Sequence, residues 1–227
     1  MTQNIDGHFD VLIAGAGISG IGSAYHLQTQ CPGKTYLVLE ALEDFGGTWR
    51  MHTYPGIRSD SDRYTFGYRF KPWIGPPIAT AEEILNYMGE VIDENEIAPH
   101  IQYSHTITAA SYSSKEKLWT VRATNSVTGE EKTYTCTFLW MCQGYYNHAE
   151  GYTPEWDGME DFAGEIVHPQ TWPEDIDLKD KRVVCIGSGA TAATLVWREA
   201  GARLVLSLRF DIQAGLPFSI SRGLMTL

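Results

Sequence analysis

The sequence contains no run of about 18 apolar residues, and this absence excludes a membrane-spanning helix. Its N-terminal segment, MTQNIDGHFD, lacks a basic stretch followed by an apolar one, so no secretory signal peptide is predicted. Basic residues are also scarce, at 17 Lys and Arg against 28 Asp and Glu. The net charge of −11 argues against nucleic acid or an anionic membrane as a partner, because both bind basic surfaces. We therefore expect a soluble, cytoplasmic protein.

Cysteine is scarce as well, with only four in 227 residues: Cys31, Cys136, Cys142 and Cys185. No two of them form a C-x-x-C pair, and their spacings suit neither a zinc site nor a disulfide framework. We expect reduced, mostly buried thiols, as is usual in the cytosol.

The strongest positive signal is a strand–turn–helix–strand pattern between Phe9 and Glu40. The apolar run FDVLIA leads directly into GAGISG, a helical pattern follows, and a second apolar run, TYLVL, ends in the acid Glu40. A βαβ unit with G-x-G-x-x-G in its first turn and an acid after its second strand is the fingerprint of dinucleotide binding.

Each part of this pattern has a physical role. Gly15 permits the tight turn, Gly17 lets a pyrophosphate approach the backbone, and Gly20 lets the helix pack closely on the strand. The helix start offers free N–H groups and the positive end of its dipole to phosphates, while the terminal acid can accept two hydrogen bonds from a ribose. The alternative is a glycine turn packed for its own sake. The predicted cofactor contacts are Gly15, Ala16, Gly17, Ile18, Ser19, Gly20 and Glu40.

A second unit of this kind begins at Arg182. The strand RVVCI leads into GSGATA, the G-x-G-x-x-A variant, and a helical pattern over Ala193–Ala200 precedes the strand RLVLSL. Arg209 follows that strand, where the first unit has Glu40. A cation there suits a ribose 2′-phosphate and favours NADP over NAD, although Asp211 nearby weakens this preference and a solvated strand end is the alternative. The predicted contacts are Gly187, Ser188, Gly189, Ala190, Thr191 and Arg209.

The region between the two units predicts one helix and a small antiparallel sheet. A capping box at Thr80–Glu83 indicates a helix that continues to about Glu94. The run Ile101–Ser113 predicts one strand, and Leu118–Thr124 and Lys132–Cys142 predict two antiparallel strands, so that the three form a β-meander.

These patterns together predict an α/β fold that binds two nucleotides. FAD in the first unit and NADPH in the second is the simplest pairing, because one cofactor carries hydride in and the other receives it. The predicted domains are a Rossmann-like FAD domain with an inserted β-meander at 1–146, a linker at 147–180, and the start of an incomplete NADP-binding Rossmann-like domain at 181–227.

A long irregular loop, Ala41–Asp60, follows the first unit, and such loops inside compact domains are usually functional. Gly46 and Gly47 permit close backbone approach to a ligand, and Trp49 and Tyr54 offer flat faces to an aromatic ring system. The alternative is a packed surface loop. The charged residues near its end form either a solvated cluster or a set in which a carboxylate orients an arginine or a nicotinamide: Arg58, Asp60, Asp62 and Arg63.

Two longer patterns carry a resemblance to a known family. The pattern [AG]-G-x-W-x-x-x-x-[FY]-P-[GM]-x-x-x-D is met by Gly46, Gly47, Trp49, Tyr54, Pro55, Gly56 and Asp60. The pattern F-x-G-x-x-x-H-x-x-x-W-[PD] is met by Phe162, Gly164, His168, Trp172 and Pro173. Both are similar to patterns of the flavin monooxygenases, and the Trp-Pro ending resembles the type I Baeyer–Villiger branch. The segments YPGIRSDSD and VHPQTWPED most resemble the ethionamide-activating type.

The resemblance implies an FAD- and NADPH-dependent monooxygenase. Its reduced flavin would add O2 to form a C4a-peroxide, which attacks a ketone to give an ester or lactone, or oxidises a sulfur. His168 would belong to the hinge between domains rather than act as a proton-transfer base, and the catalytic assignment goes to Asp60. Further FAD contacts are expected at Gly47, Thr48, Trp49, Arg58, Ser59, Asp60, Ile107 and Gly144.

The chain also departs from that family. Its members are considerably longer, close the FAD domain with a C-terminal segment and carry a later catalytic arginine, while Phe210–Leu227 resembles no part of them. We therefore expect either a truncated or frameshifted member, or a chain that needs a partner chain or a second copy to complete it. Two other functions stay open: a two-nucleotide disulfide reductase, which needs the C-x-x-C pair that is absent, and a non-catalytic FAD-binding module.

Overall fold

The structure, a computed structural model, describes residues 5–187, 189–198 and 203–208. The chain divides into two compact units, Met1–Asp175 and Ile176–Leu227. The strands of the first unit are β1 Gly7–Ala14, β2 Tyr36–Leu39, β3 Ile101–Gln102, β4 His105–Ser113, β5 Leu118–Asn125 and β6 Glu131–Met141. Its α-helices are α1 Ile18–Gln30, α2 Thr48–Met51, α3 Arg63–Phe66 and α4 Ala81–Glu94, and 3₁₀ turns form at Ala98–His100, Met159–Asp161 and Pro169–Thr171.

A six-stranded mixed sheet organises the first unit, with strand order β3-β2-β1-β6-β5-β4. Strand β1 lies between β2 and β6 and runs parallel to both. Because β1 and β2 end at the same edge of the sheet, the turn after β1 lies beside the residue that follows β2. The βαβ unit predicted between Phe9 and Glu40 is therefore present, with β1 beginning two residues earlier than predicted.

The alternation of side chains along β1 gives the sheet a core on each face. Ile13 packs on one face with Ile21 of α1 and Ile84 of α4. Leu12 packs on the other face with Leu39 and other buried residues of the second core cluster. Leu12 and Ile13 are both fully buried, as expected for a central parallel strand covered on both faces.

The strand predicted over Ile101–Ser113 is in fact two strands with different partners. β3 pairs parallel with β2, whereas β4 pairs antiparallel with β5. Ser104 lies between them with φ +57°, a backbone conformation that ends one strand and redirects the chain. Its N–H donates to the Leu42 carbonyl, which ties the break to the loop after β2.

The predicted antiparallel meander is present and continuous with the parallel sheet. β6 pairs antiparallel with β5 over Glu131–Cys136, and it pairs parallel with β1 as far as Met141. Within the described residues no strand pairs with the other side of Thr137–Met141. Phe138 is 55% exposed, and Trp140 and Met141 of this half-strand are also exposed. A cleft of about 320 Å³ beside α1 is lined in part by Trp140.

The capping box predicted at Thr80–Glu83 begins α4. The Thr80 N–H donates to Glu83 Oε2 at 2.7 Å, and the Glu83 N–H donates to Thr80 Oγ1 at 3.3 Å. The helix ends at Glu94, as predicted. Its apolar face, which includes Ile84, Met88 and Val91, packs into the first core cluster and supports the sheet from that side.

The second unit contains β7 Arg182–Ile186, α5 Ala190–Arg198 and β8 Arg203–Leu208. β7 and β8 pair in parallel, so the second predicted βαβ unit is also present. The helix begins three residues before the predicted start at Ala193. Val184 and Ile186 of β7 are 45% and 42% exposed, so apolar side chains of this small sheet face solvent within the described chain.

The cysteines are free thiols, as predicted, but they are less buried than expected. Cys136 is buried, Cys142 and Cys185 are half-buried, and Cys31 is exposed just after α1. Burial raises the pKa of Cys136 to about 11, so this thiol stays protonated at neutral pH. Among the described residues, no helix combines the length and apolar character that crossing a bilayer requires.

Asp10 connects β1 to the residues before β2. Its carboxylate accepts from Lys34 Nζ at 2.8 Å, from the Thr35 N–H at 2.8 Å and from Thr35 Oγ1 at 3.0 Å. These bonds, that of Lys34 most of all, lower the pKa of Asp10 from 3.8 to about 2. Because the folded pKa lies below the unfolded one, the carboxylate stabilises the fold above the unfolded value, and this contribution disappears as the pH falls towards about 2.

We predict that Asp10→Asn lowers the free energy of unfolding at about pH 6, since the charged acceptor is lost. The difference between wild type and variant should close as the pH falls through the window between 3.8 and about 2. Urea unfolding across this pH range measures it, with Asp157→Asn as a control at an exposed carboxylate. If the difference in the free energy of unfolding stays constant down to about pH 2, the carboxylate of Asp10 does not stabilise the fold in this way.

Candidate dinucleotide-binding site

The turn after β1 requires glycine at its first position. Gly15 has φ +102°, a conformation that side-chain-bearing residues rarely adopt. A Cβ added at Gly15 would lie 2.7 Å from the Cys142 carbonyl oxygen. The Cys142 N–H donates to the Ala14 carbonyl at 2.9 Å, so the residue after β6 borders the turn directly.

Gly20 allows α1 to start close against the turn. A Cβ at this position would lie 1.9 Å from the Gly15 carbonyl oxygen, a distance that no packed structure permits. The role predicted for the third glycine, close approach of helix and strand, is therefore confirmed.

The second glycine of the turn lies against the loop after β2. A Cβ at Gly47 would be 3.1 Å from Gly17 Cα, and a Cβ at Gly17 would be 3.7 Å from Gly47 Cα. The Gly46 N–H donates to the Ala16 carbonyl at 3.1 Å. The backbone of the turn after β1 thus contacts the backbone of the loop after β2 at the start of α1.

The start of α1 is open to an anion. Its N-cap is Gly17, no side chain caps the helix, and its first turn has no acidic residue. The first N–H groups of a helix have no partner within the helix, and together with the helix dipole they attract negative charge. The sequence therefore places a local positive field at the predicted phosphate position.

Glu40 lies beside the same turn and is only 6% exposed. Its Oε2 accepts from the Ala16 N–H at 2.6 Å, and its Oε1 accepts from the Leu42 N–H at 2.9 Å. The acid after β2 thus helps to hold the turn in place. Each carboxylate oxygen has a further lone pair available for a ribose hydroxyl.

The loop after β2 contributes the aromatic residues of the site. Thr48 and Trp49 begin α2, and Trp49 is partly buried against the first core cluster. Tyr54 is 7% exposed and contacts the edge of the His52 ring. Arg50 of α2 pairs with Asp44, which braces the loop from within.

Within the described chain no ion pair joins the charged residues near the end of this loop. Asp60 is exposed and accepts from Ser61 Oγ, while Asp62 caps α3 by accepting from the Tyr64 N–H. Arg63 is buried, donates to the Phe66 carbonyl, and has no ion pair within the described chain. Burial lowers the pKa of Arg63. In this structure neither aspartate pairs with an arginine, so the orienting role expected for Asp60 stays a prediction.

The remaining predicted contacts lie at different places in the first unit. Arg58 Nε donates to the Gly56 carbonyl, and Ser59 is buried and bonded to Ser61. Ile107 of β4 packs against the second core cluster, and Gly144, with φ +75°, follows β6. These positions stay predictions as cofactor contacts.

The turn of the second unit also has a positive φ at its first glycine. Gly187 has φ +143°, and a Cβ there would meet the Ala192 side chain at 3.6 Å. A Cβ at Gly189 would meet nothing within 4 Å, so this position faces open space. Ala190 and Thr191 open α5, whose first turn has no acidic residue. Ser188 and Arg209 lie outside the described residues.

Sequence reasoning missed several residues that shape the site. Tyr68 OH donates to the Ile18 carbonyl at 2.6 Å and so fixes the start of α1 from a segment that had no predicted role. The bond between Gly46 and Ala16 was also not foreseen. The glycine pair Gly46-Gly47 indicated close backbone approach, but only the fold identifies the turn after β1 as its partner.

The fold and site define a protein with two dinucleotide-binding βαβ units. A sequence model described as flavin-binding monooxygenase-like matches residues 71–209, and one described as an NAD(P)-binding Rossmann-like domain matches residues 13–76. The chain belongs to the flavin-binding monooxygenase-like family. The resemblance drawn from the two long patterns is therefore confirmed.

Individual relatives agree with this assignment. The chain is 53% identical over 190 residues to the FAD-containing monooxygenase EthA of Mycolicibacterium smegmatis, a match that covers 83% of this chain and 38% of the relative. It is 48% identical over 196 residues to the putative FAD-containing monooxygenase MymA of Mycobacterium tuberculosis, covering 86% and 40%. The chain thus spans about two fifths of the length of the curated relatives it matches.

Solved structures show the same fold. An oxidised steroid monooxygenase bound to NADP matches with a TM-score of 0.69 and 32% identity, over 83% of this chain and 36% of that one. A cyclohexanone monooxygenase bound to epsilon-caprolactone matches with a TM-score of 0.71 and 27% identity, over 85% and 37%. The predicted class, an α/β flavoprotein fold with two dinucleotide-binding units, is confirmed.

We predict that Gly20→Ala destabilises the protein by about 1–3 kcal/mol, because its methyl group overlaps the Gly15 carbonyl and forces the turn apart. Gly17→Ala is the matched control, since its methyl group makes only an ordinary contact and φ is −72°. Denaturant unfolding of the two variants measures the difference. Equal stabilities would contradict the close packing of α1 on the turn.

Proposed function

We propose that the chain is the nucleotide-binding part of an FAD- and NADPH-dependent monooxygenase. The observation that carries this proposal is the bare-backbone junction of Gly17 and Gly47 at the uncapped start of α1. Family membership supports the reaction class, and the relatives' printed names describe FAD-containing monooxygenases. A cytoplasmic location and O2 as co-substrate are parts of the same proposal.

The residues of the first unit fit FAD. The absence of a side chain at Gly17 would let a diphosphate approach the backbone, and the N–H groups at the helix start can donate to phosphate oxygens. The Ala16 and Leu42 N–H groups fix Glu40, and its remaining lone pairs can accept from ribose hydroxyls. Trp49 and Tyr54 supply aromatic surface in the loop that adjoins the turn.

The residues of the second unit fit a second nucleotide. Its turn also has a positive φ at the first glycine, +143° at Gly187 against +102° at Gly15, and an open position at Gly189. A structural neighbour, the steroid monooxygenase, has NADP bound. The preference for NADP over NAD rests on Arg209 in the sequence, because a guanidinium suits a ribose 2′-phosphate.

When bound, the flavin would supply oxygen activation after reduction by NADPH. The chain's own part is to hold and shield that group. The helix start binds the negative charge of the phosphates, and the packed loop around Gly46 and Trp49 excludes water from one side of the site. Asp60 would place a negative charge at the end of that loop, where it can orient a cationic partner.

We propose Baeyer–Villiger oxidation of a ketone to an ester or lactone as the reaction, with oxidation of a sulfide as the related activity. The resemblance of the motif ending in Trp172 and Pro173 supports the first, as does the likeness to a cyclohexanone monooxygenase. A non-catalytic FAD-binding module is the second candidate, because the chain spans only 38% of its relative EthA.

Association with a second copy of the chain is part of the proposal. Among the described strands none pairs with the second side of Thr137–Met141, where Phe138 and Trp140 are exposed, and the segment itself has no charged residue. Size-exclusion chromatography should give a particle larger than one chain. A stable monomer with tightly bound FAD would contradict this, and would also contradict the expectation that the chain needs completing.

FAD binding tests the site. The purified protein should be yellow. Gly17→Ala should keep the stability of the fold, because its methyl group makes only an ordinary contact. It should weaken FAD binding by about tenfold or more, because a side chain is added where we propose that the diphosphate approaches the backbone. Flavin absorbance and fluorescence titration measure both. Equal affinity in wild type and Gly17→Ala would show that the turn does not hold the cofactor.

NADPH turnover tests the reaction. With FAD bound, NADPH consumption should rise when a cyclic or aliphatic ketone is added, and an ester or lactone should form. Gly17→Ala should lose this activity together with FAD. FAD binding with neither NADPH consumption nor oxygen insertion would favour the non-catalytic module instead.

A further inference from the structure

Gly151 lies under the imidazole ring of His168. A Cβ added at Gly151 would lie 2.0 Å from His168 Cε1, 2.3 Å from Nδ1 and 2.6 Å from Nε2. Three ring atoms at such distances mean that the ring lies on bare backbone at Gly151. Any other residue at this position would have to displace the ring.

The backbone conformation of Gly151 does not itself require glycine. Its φ is outside the positive range in which side chains are strained, unlike those of Gly144 and Gly158 on either side. The absence of a side chain at Gly151 therefore serves the contact with His168 rather than a turn.

A hydrogen bond fixes the orientation of the His168 ring. The Gln170 N–H donates to His168 Nδ1 at 3.1 Å, so this nitrogen is the acceptor and a neutral ring has its proton on Nε2. The Gln170 side chain donates to the Asn147 carbonyl at 2.7 Å. Two contacts, one with Gly151 and one with Asn147, thus attach the histidine's turn to the same loop.

That loop is attached in turn to the candidate cofactor site. It follows Cys142, whose carbonyl faces Gly15, and the His148 ring contacts both the Met51 sulfur and the Gln143 carbonyl. Met51 is the last residue of α2, the helix that begins directly after Gly47. The loop therefore lies between the glycine turn and the histidine of the second long pattern.

We propose that Gly151 is the positioning residue for His168, holding its imidazole in one orientation and in the Nε2–H tautomer. Gly164, inside the pattern, has the equivalent relation to Phe162, whose ring would lie 2.6 Å from an added Cβ. Gly151 lies outside the pattern that contains His168, so the pattern does not indicate that Gly151 contacts this histidine. The contact between Gly151 and His168 lies within the chain and does not depend on which cofactor binds.

Imidazole NMR of histidine-labelled protein tests the proposal, with His168→Ala identifying the signal. Wild type should show the Nε2–H tautomer at His168. Gly151→Ala should shift or broaden that signal. The control Glu150→Ala also introduces alanine, at the neighbouring exposed position, and should leave the signal as in wild type. An unchanged His168 signal in Gly151→Ala would overturn the proposal, whatever the activity of the enzyme.

A double-variant cycle separates this contact from a general loss of packing. Gly151→Ala should raise the rate of proteolytic cleavage within 147–175 by about tenfold, because its methyl group clashes with the ring. In the His168→Ala background the same change should have little effect, since the ring is absent. An equal increase in both backgrounds would mean that Gly151 acts independently of His168, and would overturn the proposal.

Discussion

The structure depends on one contact, between the bare backbones at Gly17 and Gly47. It joins the turn after β1 to the loop after β2, and the bond from the Gly46 N–H to the Ala16 carbonyl holds the two together. A side chain at Gly47 would press on Gly17 Cα at 3.1 Å, whereas one at Gly17 would make an ordinary contact of 3.7 Å with Gly47 Cα. Trp49, two residues after Gly47, is partly buried against the first core cluster.

The charge distribution gives the same junction its chemical character. The chain has a net charge of −11, so its overall field repels phosphates. The start of α1 is an exception, because it has no acidic side chain and exposes unpaired N–H groups. Glu40 lies nearby, yet it is bonded to two backbone N–H groups. A local field from backbone dipoles therefore opposes the field of the whole chain.

Local patterns predicted the two βαβ units, the capping box at Thr80 and the antiparallel pairing of β5 with β6, because each depends on neighbouring residues. Non-local features were not predictable. β6 pairs parallel with β1, and Gly151 contacts His168, although these segments are far apart in the sequence. The strand break at Ser104 likewise depends on the distant loop after β2. A pattern of neighbouring residues contains no information about such contacts. The charged residues after Tyr54 suggested either a solvated cluster or an orienting set. Within the described chain no ion pair joins them, Asp62 caps α3 and Arg63 is buried.

Amide hydrogen exchange with and without FAD tests the central claim most directly. The account predicts that FAD slows exchange at the N–H groups of residues 17–20, because these groups become donors to the diphosphate. The amides of α4, on the core side of the sheet, should exchange at unchanged rates and serve as the internal reference. If FAD binds and the amides at the start of α1 exchange as fast as before, the cofactor is held elsewhere and the account is wrong.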